Sequence, residues 1–425
     1  MAIASDIAHA KEGYRLHLVN TDKYKTNSLV FKMKAPLSQE TVTIRSLLPY
    51  VLQSTTGKFP SSTQLRSYLD DLYGANLYVD VTKKGEYHII TFTMEIANEK
   101  FLSDPAPLLE KGFELLSEVI FHPNISDNSF DTNTVNKEKR SLAQRIQSIY
   151  DDKMRYSATR LVEVMCENEP YAIDASGRLE DLDNITPESL YSYYKKALAE
   201  DEIDLYIIGD FQNEEVEQHA DRFIKLANRI AQRIQPIQHK LGEEKQVVER
   251  QDVKQGKLNI GYRTGIVYGD DDYFALQLFN GLFGGFSHSK LFMNVREKES
   301  LAYYVSSRLE SHKGLMMVMS GIENENFEKA VNIIKEQLAE MKKGNFTDDD
   351  VEQTKAVVKN QILETIDVPR GLVEILYHQV ISGKGIPLDE WIERTERTTR
   401  EEIISAAQKV NLDTIYFLTG MEGQG

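Results

Sequence analysis

Cysteine is almost absent from this chain of 425 residues, which contains only Cys166. A single cysteine cannot form an intramolecular disulfide bond, so a disulfide-stabilised fold is excluded and a reducing compartment, the cytoplasm, is expected. The first residues, MAIASDIAHAKEGYR, are too polar for a secretion signal, and we expect none. The longest apolar runs are far too short to cross a bilayer, so we predict no membrane partner.

Basic residues are also under-represented. The chain has 50 lysines and arginines against 66 aspartates and glutamates, which gives a formal net charge of −16. Phosphate backbones and anionic lipids are bound by basic surfaces, so nucleic acid is excluded as a general partner. One local basic cluster, KEKRSLAQR at 137–145, is typical of a solvated helix face.

The familiar short signatures of catalytic sites are missing as well. There is no glycine-rich phosphate loop, no G-x-S-x-G and no C-x-x-C. No two of the nine histidines lie three to five residues apart, so no helix face offers a histidine pair for zinc. Cys166 has no histidine nearby to activate it, which favours a core position over a nucleophile.

What the chain does contain is a repeated order of strands and helices. A shift that places Leu65 on Leu291 also places IANEKF (96–101) on IENENF (322–327). We therefore predict an α+β fold of two tandem homologous α/β domains, each of about 200 residues.

The predicted domain ranges follow from this repeat. The first domain is expected at 1–228 and the second at 252–425. The segment 229–251 is polar, mixed in charge and contains one proline and one glycine, which indicates a linker.

Two stretches carry a resemblance to a known family. They are LFMNVREKESLAYYVSS (291–307) and PYAIDASGRLEDLDNITPESLYSYYKKAL (170–198), the latter followed by a strand that ends IIGDF. Together with the tandem halves, they resemble the pitrilysin/insulinase family of zinc peptidases, the group with an inverted zinc motif. The resemblance covers nearly the whole chain. It implies the two-domain α+β fold predicted above, with each domain a mainly antiparallel sheet packed with helices.

In that family, one helix carries H-x-x-E-H, whose two histidines bind zinc and whose glutamate is the general base. With Gly57 as the anchor, the resemblance places the histidines at Leu48 and Leu52 and the base at Val51. The third ligand, a glutamate on a later helix, falls on Arg145. These residues imply that the chain itself binds no metal or other cofactor and that zinc is present only in a partner chain.

The second-domain residues of the family are retained. Arg296 and Tyr303 match the arginine and tyrosine that contact the substrate, and Tyr304 replaces Tyr303 if the register slips by one. Arginine can hold a carbonyl or a carboxylate, and a tyrosine hydroxyl can donate a hydrogen bond to a developing oxyanion. We interpret the three as candidate substrate-binding residues.

The leading hypothesis is a catalytically incomplete subunit of a zinc-peptidase heterodimer. It pairs with a zinc-bearing paralogue and contributes half of a peptide-binding chamber. A homodimer of this chain is a second possibility. The alternative function is a non-enzymatic peptide-binding or scaffold protein of the same fold. An active zinc metallopeptidase is disfavoured because the metal ligands are missing.

Overall fold

The computed structural model describes residues 6–103, 106–230, 234 and 242–421. The chain forms two compact units, each with one large β-sheet. Unit 1 comprises Met1–Ser148, Ile173–Gln235 and Asp367–Leu376. Unit 2 comprises Ile149–Ala172, Pro236–Ile366 and Tyr377–Gly425.

The sheet of unit 1 is mainly antiparallel. The strands of this unit are β1 (Ile7–Lys11), β2 (Tyr14–Asn20), β3 (Thr26–Pro36), β4 (Asn76–Lys84), β5 (Tyr87–Ala97), β6 (Ile125–Ser126), β7 (Ser129–Phe130) and β8 (Glu202–Gly209). Six of them form one sheet in the order β1-β2-β8-β3-β5-β4, while β6 and β7 form a separate hairpin. Only β2 and β8 pair in parallel.

The sheet of unit 2 repeats this topology. Its strands are β9 (Lys245–Arg250), β10 (Gly256–Arg263), β11 (Ala302–Glu310), β12 (Leu315–Ile322) and β13 (Asn411–Thr419). Their order is β11-β12-β10-β13-β9, and only β13 and β9 pair in parallel. This matches the order β4-β5-β3-β8-β2 of unit 1. The predicted α+β fold with two mainly antiparallel sheets is confirmed.

Strand β9 corrects the end of the predicted linker. Residues 231–233 and 235–241 of that segment lie outside the described residues. Lys245–Arg250, however, form an edge strand in which Val248 pairs with Phe417. The sequence predicted a linker here because an edge strand with one solvated face is polar at alternate positions, and a polar segment is also typical of a linker.

Helices pack against both sheets. Those of the first 230 residues are α1 (Val42–Ser54), α2 (Ser62–Asp71), α3 (Leu108–Phe121), α4 (Thr132–Asp151), α5 (Lys153–Met165), α6 (Leu179–Leu182), α7 (Pro187–Glu200) and α8 (Asn213–Phe223). The later ones are α9 (Tyr273–Asn280), α10 (Phe327–Lys342), α11 (Asp348–Thr365), α12 (Pro369–Ser382), α13 (Leu388–Arg397) and α14 (Arg400–Lys409). Among the residues described, no helix combines the length and the apolar character needed to span a membrane.

Helix α5 belongs to unit 2 although it precedes strand β8 of unit 1 in the sequence. Its Leu161 and Met165 are buried in a cluster with Met317 of β12 and Tyr416 of β13. Unit 2 thus contains Ile149–Ala172, which lies inside the predicted first domain, and unit 1 contains Asp367–Leu376, which lies inside the predicted second domain. The predicted domain ranges describe the sequence repeat and stay a prediction.

A histidine in the core of unit 1 gives the first testable prediction. His88 is 1% exposed, and its Nε2 lies 3.0 Å from the carbonyl oxygen of Ala175. Burial, assisted by the positive charge of Arg45, lowers the pKa of His88 to about 3. The folded state therefore binds fewer protons than the unfolded state between about pH 6.5 and pH 3, so stability is lost as the pH falls through this window.

We expect this group to contribute a loss of about 1.4 kcal/mol of unfolding free energy per pH unit within the window. The substitution His88→Gln keeps a donor for the carbonyl of Ala175 but cannot be protonated. Urea unfolding at pH 7, 6 and 5 should give a shallower pH dependence for this variant. His9→Gln, in strand β1, is measured beside it as the control for the loss of an imidazole elsewhere in the fold. Equal slopes for His88→Gln and wild type would contradict the prediction.

Candidate functional site

The residues predicted at the lost zinc site form the core side of helix α1. Leu48, Val51 and Leu52 are 0%, 1% and 1% exposed and belong to the main hydrophobic cluster of unit 1. They follow the i, i+3, i+4 spacing of an apolar helix stripe. Their side chains stabilise the fold through burial, and this face of the helix points into the core.

The contacts between α1 and α4 use another face of α1. Arg145 of α4 stacks on Tyr50, with its guanidinium carbon 3.7 Å from the ring centroid. The hydroxyl of Ser54 donates a hydrogen bond to Oε1 of Glu138, also on α4, at 2.7 Å. Tyr50 and Ser54 are one helical turn apart and share this face with Gln53.

This geometry favours a register that differs from the one predicted from Gly57. A zinc site of the H-x-x-E-H type needs its three motif residues to face the later helix that brings the third ligand. Tyr50, Gln53 and Ser54 have that spacing and lie on the side of Arg145, whereas Leu48, Val51 and Leu52 lie in the core. We therefore infer that the zinc motif corresponds to Tyr50-Val51-Leu52-Gln53-Ser54, two residues later than predicted.

The sequence held a signal for this register. Leu48, Val51 and Leu52 form an apolar stripe, while Tyr50, Gln53 and Ser54 form a polar one at the same spacing. A helix face that binds a metal is polar. When the ligands are lost, the replaced residues are more compatible with the polar stripe of Tyr50, Gln53 and Ser54 than with the apolar one. The anchor at Gly57 assumes instead that the loop between the helix and this glycine has the same length as in the family.

Neither register provides zinc ligands. Zinc in proteins is bound by imidazole, thiolate and carboxylate groups, and the guanidinium of Arg145 adds a positive charge next to Tyr50. Across the described part of the chain, no group of three or more histidine, cysteine, aspartate or glutamate side chains is arranged to hold a metal ion. The residues of this chain do not fit a zinc centre of the family type, and no catalytic step is derived through one.

Tyr50 stays a neutral phenol at physiological pH. Burial raises its pKa, and the nearby carboxylates of Asp80 and Glu138 act in the same direction, while Arg145 opposes them. A neutral hydroxyl can donate and accept hydrogen bonds, so the face of α1 formed by Tyr50, Gln53 and Ser54, called the former metal face below, is polar.

In unit 2, Arg296 lies in a π-helical segment, Phe292–Lys298, just before strand β11. Its side chain is 43% exposed, and its Nε is 3.7 Å from Oε1 of Glu297. The guanidinium carbon lies 4.7 Å from the ring centroid of Phe292, so the guanidinium group packs over this ring. Irregular π-helical turns of this kind are frequent at functional sites.

Tyr303 projects from a β-bulge at the start of edge strand β11. Ala302 pairs with Ile322 and Tyr304 pairs with Gly321, so Tyr303 is the extra residue. It is 80% exposed. Bulges at sheet edges re-aim side chains, and the hydroxyl of Tyr303 is presented to solvent next to main-chain groups that can pair with another strand.

Tyr304 has a different environment. Its ring packs so closely over Gly321 that a Cβ added to that glycine would lie 2.5 Å from Cε1 of the ring. Burial raises the pKa of Tyr304 to about 12. Of the two candidate tyrosines, Tyr303 is 80% exposed, whereas Tyr304 is half-buried.

Comparison with known proteins bears on the family. Residues 184–358 match the family described as "Peptidase M16 inactive domain". "Probable inactive metalloprotease YmfF" of Bacillus subtilis (strain 168) is 52% identical over 427 residues, which cover 100% of both chains. The chain belongs to the M16 peptidase family. The predicted pitrilysin/insulinase-type relationship is thereby confirmed.

The M16 fold extends over the whole chain. The crystal structure of a conserved protein from Enterococcus faecalis V583 is 35% identical, covers 99% of this chain and 100% of that one, and superimposes with a TM-score of 0.90. In this M16 chain other residues occupy the positions of the family's zinc motif, and its relative YmfF is named a probable inactive metalloprotease.

More distant M16 relatives include two proteins of Bacillus subtilis (strain 168) that share a name stem. "Antilisterial bacteriocin subtilosin biosynthesis protein AlbE" is 24% identical over 84% of this chain and 88% of its own length. "Putative zinc protease AlbF" is 26% identical over 33% of this chain and 32% of its own length.

Proposed function

We propose that this chain is the metal-free subunit of a heterodimeric M16 peptidase of the cytoplasm. A zinc-bearing paralogue supplies the metal centre, and this chain supplies Arg296, Tyr303 and half of a peptide-binding chamber. The observation that carries the proposal is the exposure of Tyr303 at the bulge of edge strand β11, in a chain whose metal positions are occupied by other residues.

The relatives support such a pairing. One organism has both AlbE, named as a bacteriocin biosynthesis protein, and AlbF, named as a putative zinc protease, and both are similar to this chain. A division of labour between two M16 chains explains why a protein without zinc ligands keeps an exposed arginine and tyrosine.

The residues of this chain have defined roles in the proposal. The outer edge of β11 offers unpaired N–H and C=O groups to an extended peptide. The Arg296 guanidinium holds a carbonyl or carboxylate of that peptide with its fork of donors. The hydroxyl of Tyr303 donates a hydrogen bond to the oxygen of the scissile carbonyl as negative charge develops there.

The test is reconstitution with an M16 paralogue that carries H-x-x-E-H and is encoded in the same genome. We expect peptide hydrolysis by the mixture and none by this chain alone. Tyr303→Phe should lower kcat of the mixture about 10²-fold, since loss of one oxyanion donor typically has this effect. Arg296→Ala should lower kcat/KM. Neither change should prevent assembly measured by size-exclusion chromatography with light scattering.

Tyr304→Phe is the matched control, because the ring of Tyr304 is packed against Gly321 and its loss of a hydroxyl should leave turnover nearly unchanged. Normal turnover of a mixture that carries both Arg296→Ala and Tyr303→Phe refutes the assigned roles. Peptide binding without cleavage in every combination identifies a non-enzymatic peptide-binding protein instead. Light scattering of the isolated chain tests the homodimer.

A further inference from the structure

A cavity of about 240 Å³ lies next to the former metal face in unit 1. Tyr50, Gln53 and Ser54 of α1 line one side, and α2, the start of β4 and α4 complete the wall. The volume is below the range of about 300–1,000 Å³ that is typical of sites for drug-sized ligands. It suits a single amino-acid side chain with its main-chain atoms.

One wall of this cavity is apolar. Leu65 and Leu77 are 3% and 8% exposed, and Leu69 of α2 is partly buried beside them. The three leucines come from α2 and from the first residues of edge strand β4. A ligand that enters the cavity therefore places apolar atoms against this wall and gains their burial.

Two cations also line the cavity. Arg66 of α2 is exposed, and the described residues give it no ion-pair or hydrogen-bond partner. Lys137 of α4 is 55% exposed and lies only 3.4 Å from its neighbour Glu138. In a chain with 16 more acidic than basic residues, a cavity with two cations and one carboxylate is locally positive.

The carboxylate of Glu138 has one oxygen engaged. Its contacts with the Ser54 hydroxyl and with Lys137 both use Oε1. Among the described residues Oε2 has no hydrogen-bond partner, so it can accept a hydrogen bond from a ligand N–H. The combination of an apolar wall, two cations and one acceptor is complementary to the last residue of a peptide. Such a residue has a side chain, a free carboxylate and a backbone N–H.

We propose that this cavity binds the C-terminal residue of a peptide, with an apolar side chain against Leu65, Leu69 and Leu77 and the free carboxylate at Arg66 and Lys137. The proposal does not depend on the heterodimer, because every lining residue belongs to this chain. It assigns a ligand class to the surface left by the lost metal site. It also distinguishes peptides with free carboxyl ends from internal segments of proteins.

Fluorescence anisotropy with the isolated full-length chain tests the site. The probes are a fluorescein-labelled pentapeptide that ends in phenylalanine, the same peptide with a C-terminal amide, and one that ends in serine. We expect the free acid to bind at least tenfold more tightly than the amide, because charge-assisted hydrogen bonds to the carboxylate are lost. The peptide that ends in serine should bind several-fold more weakly because it buries less apolar surface.

The variants Arg66→Ala and Lys137→Ala should each weaken binding of the free acid by threefold to tenfold and leave the amide unaffected. Arg140→Ala is the matched control, since it removes an exposed cation of α4 that does not line the cavity. Circular dichroism of each variant verifies the fold.

Three results overturn the proposal. They are equal affinity for acid and amide, unchanged affinity of the double variant Arg66→Ala/Lys137→Ala, and no binding of any probe at millimolar concentration. None of these results bears on turnover by the proposed heterodimer, which is measured with a zinc-bearing partner. The two proposals can therefore fail separately.

Discussion

A zinc site should appear in this chain when the four residues on the revised register are changed to the family's residues. The variant carries Tyr50→His, Gln53→Glu, Ser54→His and Arg145→Glu. Two imidazoles one helical turn apart and one carboxylate from α4 then face each other, which is the ligand set of the family's metal centre. We expect about one zinc ion per chain after dialysis, measured by mass spectrometry of the metal.

The fold should tolerate these four changes, because they lie on the polar face of α1 and on α4 and not in the core. Ser54 and Tyr50 contact Glu138 and Arg145 with their polar or aromatic groups, and Glu138 remains available to accept a hydrogen bond from an imidazole. A hydrogen bond from the ring nitrogen that does not bind the metal to such an acceptor orients a metal-ligating histidine. Wild-type protein in the same dialysis is the reference for adventitious zinc.

The matched control places the same chemistry on the register first predicted. It shares the change Arg145→Glu and replaces three apolar side chains of α1, as Leu48→His, Val51→Glu and Leu52→His. These side chains are at most 1% exposed, so each change removes packed apolar atoms and buries a polar or charged group. A cost of roughly 2–5 kcal/mol for each change sums to about 6–15 kcal/mol, which is as large as the whole stability of a typical domain.

We therefore expect the core variant to be unfolded or aggregated, as seen by circular dichroism. If it folds and binds zinc while the variant on the revised register does not, the register from Gly57 is the correct one. The two outcomes are mutually exclusive, and the purified chain alone is enough to distinguish them.

Loss of the buried cation Arg45 should have the second-largest effect. Arg45 is 0% exposed, and its Nη1 lies 2.6 Å from Oδ2 of Asp201. Its Nη2 donates a hydrogen bond to the carbonyl oxygen of Met33 at 2.8 Å. Burial raises the pKa of Asp201 although Arg45 opposes this shift, so the carboxylate depends on its partner to remain charged.

The substitution Arg45→Met should lower the unfolding free energy of unit 1 by about 3–5 kcal/mol, because it leaves a buried carboxylate without its counter-charge. The double variant Arg45→Met/Asp201→Asn should recover a large part of this loss. The exposed pair of Arg397 and Glu393, 2.9 Å apart on α13, is the comparison. Arg397→Ala should cost no more than about 0.5 kcal/mol.

The readout must distinguish the two units. Trp391 is the single tryptophan and lies in unit 2, so its fluorescence reports on that unit. Hydrogen exchange of peptides from α1 and β3 reports on unit 1. Faster exchange of these peptides in Arg45→Met is the expected result. Equal protection in variant and wild type would mean that the ion pair contributes little.

The family and the loss of the metal site were predictable from local sequence. The motifs around Arg296 and Tyr303 are contiguous, and the lack of paired histidines is visible without a structure. The position of the lost site was not predictable in the same way. Apolar and polar stripes of α1 have identical spacing, and only the contacts of Tyr50 and Ser54 show which stripe faces α4.

The distinction between Tyr303 and Tyr304 also required the structure. In sequence they are neighbours in an alternating strand, and alternation alone cannot say which one is exposed. The bulge at Tyr303 shifts the register between β11 and β12 by one residue, which releases Tyr303 and packs Tyr304 on Gly321.

The sequence by itself determined the composition-level exclusions, the tandem α+β architecture, the family resemblance and the missing zinc ligands. These properties depend on residue type and on short-range spacing, which the chain carries directly. The tertiary structure alone decided that Lys245–Arg250 is a strand, that α5 packs in unit 2, and that an amphipathic cavity lies beside the former metal face. These features arise from contacts between residues far apart in the chain, where burial and pairing override local pattern.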